Sequence, residues 1–170
     1  LAVATEATGK APENPAAWFS LGVIQDKLGK LDQVIAAMEK VIALDPKHAT
    51  ALNYLGYTFA DRNMRLPEAE KLILQALQIR PDDGYFLDSL AWVHFRTGDY
   101  RRAEEVLLRA LKLVSDDPVV LEHLGDVLQA QGRDGEAAAQ FEKAIAKGHE
   151  KPDEMRAKLD RLRKARPAAK

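Results

Sequence analysis

Apolar residues in this chain follow two superimposed periods. The short one is helical: Trp18, Leu21, Gly22 and Gln25 stand at i, i+3, i+4 and i+7, which is one face of a helix. The long one is a motif of an aliphatic or aromatic residue, two spacers, Leu, then Gly or Ala. It reads Trp18-x-x-Leu21-Gly22, Leu52-x-x-Leu55-Gly56, Leu87-x-x-Leu90-Ala91 and Leu121-x-x-Leu124-Gly125. Its starts at 18, 52, 87 and 121 are 34, 35 and 34 residues apart. A fixed period of this length marks a chain of stacked supersecondary units, each too small to bury its apolar face alone.

Each unit reads as two helices. In the first, Asn14 is an N-cap ahead of Pro15, and proline suits the opening helical position because its missing N–H would be unpaired there anyway. Gly29 ends the first helix in the left-handed conformation that glycine tolerates. Val34, Met38, Val41, Ile42 and Leu44 face inward from the second helix, and Asp45-Pro46 stops it. Later units use the same signals: Arg80-Pro81, Asp117-Pro118, and turn glycines Gly98 and Gly132. Asn63 is expected to take the left-handed turn where no glycine is present. Ala69, Ala103 and Ala137 let two helices approach, Ile73, Leu107 and Phe141 fill the groove four residues on, and Ala76, Ala110 and Ala144 close the pattern.

This combination resembles the tetratricopeptide repeat over 15–151. The resemblance implies an all-α fold, a right-handed superhelical solenoid of helix-turn-helix repeats with a C-terminal capping helix. Its repeats would be 15–48, 49–83, 84–117 and 118–151, with 1–14 the remnant of a preceding repeat and 152–170 the capping helix and tail. Departures are local: Ser115 and His149 replace the closing proline, Asp134 replaces the usual turn aromatic, and Val34 replaces the first close-packing alanine. Ala7 and Pro12 continue the frame backwards, although Thr8 and Lys10 stand where aliphatic residues would be buried. The chain therefore reads as the closing end of a longer array.

Composition narrows the function. At 46% hydrophobic and 30% charged residues the chain reads as a folded, soluble protein, and no apolar run approaches the roughly 18 residues of a membrane helix. With no Cys there is neither a disulfide framework nor a thiolate site. The serines Ser20, Ser89 and Ser115 stand in no nucleophile motif, and the four histidines lack the i, i+4 spacing of a helical metal site. We therefore expect no catalytic residue, no metal and no cofactor. Net charge is −1, but eight basic residues face three acidic ones from 151 onward. Without interleaved aromatics this basic end reads as a solvated terminal helix, not a nucleic-acid site.

The question then becomes which surface binds. First helices line the concave face of a repeat superhelix. Counting from each repeat start, positions 4, 7, 8 and 11 are buried, and positions 2, 5, 9 and 12 fall on the flank facing the groove. That flank supplies the expected partner-binding residues Phe19, Val23, Asn53, Tyr57, Tyr85, Asp88, Trp92, Phe95, Glu122 and Asp126. Trp92 is the expected anchor, with Tyr57 and Tyr85, because large aromatics dominate binding energy. Phe19 and Phe95 have a second reading, as packing between repeats. Asp88, Glu122 and Asp126 make the face acidic, which favours a protein or peptide partner with apolar and basic residues. Phe19, Val23, Asp88 and Trp92 do not resemble the Lys/Asn/Arg clamp of co-chaperone repeats.

The run from Leu52 to Arg62, with Pro81-Asp-Asp-Gly and Leu87-Asp-Ser-Leu-Ala-Trp92, is similar to the C-terminal repeats of proteobacterial tetratricopeptide lipoproteins. That resemblance implies a bacterial source and an envelope-anchored, periplasmic parent; the lack of Cys alone suits the cytoplasm equally. The expected function is a protein–protein interaction scaffold, with a structural spacer or self-associating module as the alternative.

Overall fold

The computed structural model of the chain describes residues 2–165, and every regular element among them is an α-helix. Arg166 and Lys170 of the basic end lie outside the described residues. In order, the helices are α1 (Ala2–Lys10), α2 (Pro15–Lys27), α3 (Leu31–Leu44), α4 (Ala49–Asp61), α5 (Leu66–Ile79), α6 (Gly84–Arg96), α7 (Tyr100–Val114), α8 (Pro118–Ala130), α9 (Asp134–Ala146) and α10 (Pro152–Ala165). They form two compact units, 1–81 with α1–α5 and 82–170 with α6–α10.

The caps explain where the helices begin. The Asn14 side chain accepts the Ala16 N–H at 3.0 Å, and Asp83 accepts those of Tyr85 and Phe86 at 3.0 and 3.2 Å. Asp117 does the same for Val119 and Val120 at 2.9 and 3.3 Å. Each such cap satisfies an N–H that the helix itself cannot pair. Asn63 takes the left-handed conformation expected of it (φ 52°), as Gly98 does at the corresponding turn (φ 82°). Arg65 follows in the same region (φ 49°), a conformation that its residue type does not foretell. Where Ser115 replaces the closing proline, Ser115 and Asp116 both turn left-handed, at φ 43° and 63°. Lys143 and Lys147 then pair with the Asp116 carboxylate.

In unit 1, α2 packs on α3, α4 on α5, α1 on α2 and α3 on α4. The small residue in the motif is what lets each hairpin close. A Cβ on Gly56 would lie 2.6 Å from Ile73 Cγ1 and 2.9 Å from the Ala69 carbonyl oxygen, and the second contact is with backbone that cannot swing aside. Ala69, Ile73 and Ala76 are fully buried, as is Val34 in the repeat that departs from alanine. Thr8, also buried, donates its hydroxyl to the Thr5 carbonyl at 2.9 Å, which satisfies a polar group where an aliphatic one is usual.

In unit 2, α6 packs on α7, α7 on α8, α8 on α9, and α9 on α10. Leu107, Leu121, Phe141 and Met155 are fully buried. Each such side chain contributes about 1.5–3 kcal/mol of burial free energy before the entropy of ordering it is counted. Helix α10 buries Met155, Leu159 and Leu162 against the rest of its unit and leaves Arg156, Asp160 and Arg161 exposed. One of its residues breaks the first-helix pattern. Lys158 is the seventh residue from Pro152, as Leu124 is from Pro118, and it turns inward.

Candidate protein interface

In unit 1 the flank expected to face a partner is carried by α2 and α4. Phe19 stacks on His48 with ring centroids 5.4 Å apart and meets Tyr54 edge-on at 5.9 Å. It is half-buried and packs between repeats, the second of its two expected roles. Val23, Asn53 and Tyr57 are also half-buried, and Asn53 Oδ1 makes no hydrogen bond to another described residue. The Tyr54 hydroxyl donates to Asp26 Oδ2 at 2.6 Å. Burial first, then the Asp26 hydrogen bond and charge, push the Tyr54 phenol well above its usual range. Tyr54 and Tyr57 line a cavity of about 150 Å³ with Asp26, Thr58, Asp61 and Arg62.

Unit 2 corrects part of the expectation. Tyr85 is exposed as expected, at 57%, and its hydroxyl lies 3.3 Å from Asp117 Oδ2 as donor. Asp88 and Trp92, expected on a face open to water, are buried at 7% and 8% exposure. The reason is the neighbouring first helix: α8 lies beside α6 and covers them. Trp92 stacks on His123 at 4.3 Å and on Phe95 at 4.7 Å, with the Arg96 guanidinium 4.9 Å from its ring centroid. Phe95 is half-buried and also tilts against Tyr100 at 5.6 Å, so both of its ring contacts lie within its own repeat and not between repeats.

Beneath this aromatic row lies a charge network. Asp88 Oδ1 is 2.8 Å from His123 Nδ1, and both side chains are buried. Burial alone would lower the His123 pKa, but the Asp88 charge and hydrogen bond, with Glu122 and Asp126 behind them, raise it. Glu122 and Asp126 are half-buried, and the Lys158 ammonium donates to both, at 2.7 Å to Glu122 Oε1 and 2.6 Å to Asp126 Oδ1. Burial opposes ionisation of Glu122, yet Lys158 and the nearby histidines hold its carboxyl below the usual range. At Asp126 burial prevails over Lys158 and the pKa is raised. His149 Nδ1 accepts the Lys151 N–H, which leaves the ring proton on Nε2, 2.8 Å from Glu122 Oε2 but outside hydrogen-bond alignment.

Two expectations therefore change. The acidic flank at Glu122 and Asp126 receives its cation from the chain's own α10. Lys158, only 18% exposed at its side chain, is no part of a solvated helix face. Reasoning on single helices missed Tyr54, His123 and Lys158. Their signal was complementary chemistry spaced near the repeat period: Asp88 and His123 are 35 residues apart, and Glu122 and Lys158 are 36 apart. No group of three His, Asp or Glu side chains among the described residues could hold a metal ion. No helix among them is long and apolar enough to cross a membrane.

Comparison with known proteins decides the family. The tetratricopeptide repeat profile matches residues 24–84 and 89–154, most of the chain. The chain belongs to the tetratricopeptide repeat family. A TPR repeat-containing protein of Pseudomonas aeruginosa is 40% identical over 115 residues, 68% of this chain but 19% of that protein. The human tetratricopeptide repeat protein 7B is 29% identical over 128 residues, 75% of this chain and 15% of its own length. The chain thus spans less than a fifth of these two relatives. Among solved structures, a thermophilic TPR protein of Thermus thermophilus superposes with a TM-score of 0.80 at 23% identity, over 95% of this chain and 87% of that one. PilW, a type IV pilus biogenesis factor, superposes at 0.77 with 19% identity, over 97% and 85%. These likenesses show the tetratricopeptide solenoid fold. Tetratricopeptide repeats are in general protein–protein interaction modules.

Proposed function

We propose that this tetratricopeptide chain is a scaffold that holds a peptide or helical segment of a partner protein in the groove lined by its first helices. The observation that carries the reading is the exposure of Tyr85. A tyrosine on the groove flank is 57% exposed in a unit that buries Trp92, Phe86 and Leu87 beside it. Val119, at the matching position of the next first helix, is 41% exposed. Such residues supply the large contact area and low entropy cost that binding anchors need. In unit 1, Val23, Asn53 and Tyr57 stand on the matching flank of the first helices. The work done is binding and not chemistry, and the partner's apolar residues are the anchors.

The test is affinity capture from an extract of the source cells, with single variants Tyr57→Ala and Tyr85→Ala beside the wild type. Each is expected to weaken retention of the same partner by about 2 kcal/mol, roughly thirtyfold. The urea midpoint should hardly move for Tyr85→Ala. Undiminished retention by both variants would sink the reading. A mass that rises with concentration in light scattering, and falls back in Tyr85→Ala, would assign the surface to self-association instead.

A further inference from the structure

The charge network of unit 2 is unbalanced. Asp88 of α6 and Glu122 and Asp126 of α8 bring three carboxylates together, while the Lys158 ammonium of α10 pairs with the last two. All of these side chains are 18% exposed or less, so an uncompensated negative charge among them is costly. His149 accepts the Lys151 N–H on Nδ1, which an imidazolium could not do, so it brings no positive charge. His123 is placed to supply it. Its Nδ1 is 2.8 Å from Asp88 Oδ1, and its ring lies under Trp92 at 4.3 Å and 22°, where a cationic ring meets the face of an indole.

The other elements packed on α8 leave that assignment to His123. From α6, Arg96 stands 4.9 Å from the Trp92 ring centroid. From α9, Phe141 packs against Gly125 and is apolar. From α7, Glu104 reaches Gln131 and Arg133, past the end of α8. Asp88 and His123 sit on two successive first helices, so a charged His123 strengthens the contact between α6 and α8. We propose that the proton on His123 acts as a pH-sensitive clasp between α6 and α8, tight while the imidazole is charged and loosened when the proton leaves. Burial disfavours the imidazolium, but the Asp88 charge and hydrogen bond, backed by Glu122 and Asp126, outweigh it and raise the His123 pKa. A raised folded value makes the clasp's contribution complete below the unfolded value near 6.5, and it is lost as pH rises through the folded value. Release is therefore on the alkaline side, opposite to the Glu122–Lys158 pair, which fails in acid.

The test follows Trp92 in the full chain carrying Trp18→Phe, which leaves Trp92 as its one tryptophan. A protonated imidazole quenches an indole stacked on it. Emission should therefore rise between about pH 5 and pH 10, with a midpoint above the 6.5 of an ordinary histidine. NMR of the imidazole signals should give His123 that same midpoint. His123→Gln identifies the signal and should abolish the fluorescence step, and Asp88→Asn should move the midpoint down. The lead in urea midpoint of this chain over its Asp88→Asn/His123→Gln version should be greatest near pH 6 and shrink as pH passes through the His123 midpoint. A His123 midpoint at or below 6.5, or Trp92 emission that does not titrate, would overturn the clasp without reference to the pair variants. A lead in urea midpoint that stays constant with pH would overturn it as well.

Discussion

Trp92→Ala should lower the unfolding free energy by about 3–5 kcal/mol, the range for truncating a buried tryptophan. Trp92 is 8% exposed and joins three neighbours: His123 and Phe95 by stacking, and Arg96 across its ring. Truncation opens a cavity over the Asp88–His123 pair and admits water to it. Small domains have only about 5–15 kcal/mol in total, so unit 2 would be left close to its midpoint. Trp92→Phe should keep most of the stability, because the indole N–H makes no hydrogen bond to another described residue and its removal strands no partner. Urea unfolding followed by circular dichroism measures both. A loss below about 1 kcal/mol for Trp92→Ala would place the ring on the surface.

Lys158→Met should cost about 3 kcal/mol at neutral pH, the scale for breaking a largely buried ion pair from one side. Methionine keeps the apolar stem but leaves Glu122 and Asp126, both 18% exposed at their side chains, without their cation. Adding Glu122→Gln and Asp126→Asn should restore most of the loss, since no unpaired charge then remains. The pH dependence has a definite sign. Glu122 has a depressed pKa in the folded chain, so its contribution is present above its unfolded value near 4.5 and disappears as pH falls through the folded value. The gap between wild type and Lys158→Met should therefore close as pH drops below about 4.5. A gap that is constant with pH, or under about 0.5 kcal/mol at pH 7, would make Lys158 an ordinary surface lysine.

These effects also show where sequence reading stopped. The fold was legible because its signals are local: N-caps at Asn14 and Asp117, a left-handed residue at Asn63, and a small residue wherever Ile73 or Phe141 must enter. The burial of Trp92 and Asp88 was not legible from one helix. Angular position on α6 measures distance from its own hairpin partner, α7, whereas these two side chains are covered by α8, the next first helix. Tyr85, near the N-terminus of α6, escapes that cover and keeps the exposure expected of it. Lys158 was hidden for a related reason, since a basic run suggests a solvated face until its opposing carboxylates are found one repeat earlier. Comparing charges and hydrogen-bonding groups across the period, at separations of 28 to 36 residues, would have found Asp26–Tyr54, Asp88–His123 and Glu122–Lys158.

The central claim is that a partner meets the flank of the first helices. A photo-crosslinking residue placed at position 85 on α6, and separately at position 108 on α7, tests it most directly. Tyr85 and Leu108 are similarly exposed, at 57% and 47%, so accessibility alone does not distinguish them. Irradiation in cells should give a discrete adduct with the same partner from position 85 and none from position 108. An adduct from position 108 alone would contradict the account and put the interface on the second helices.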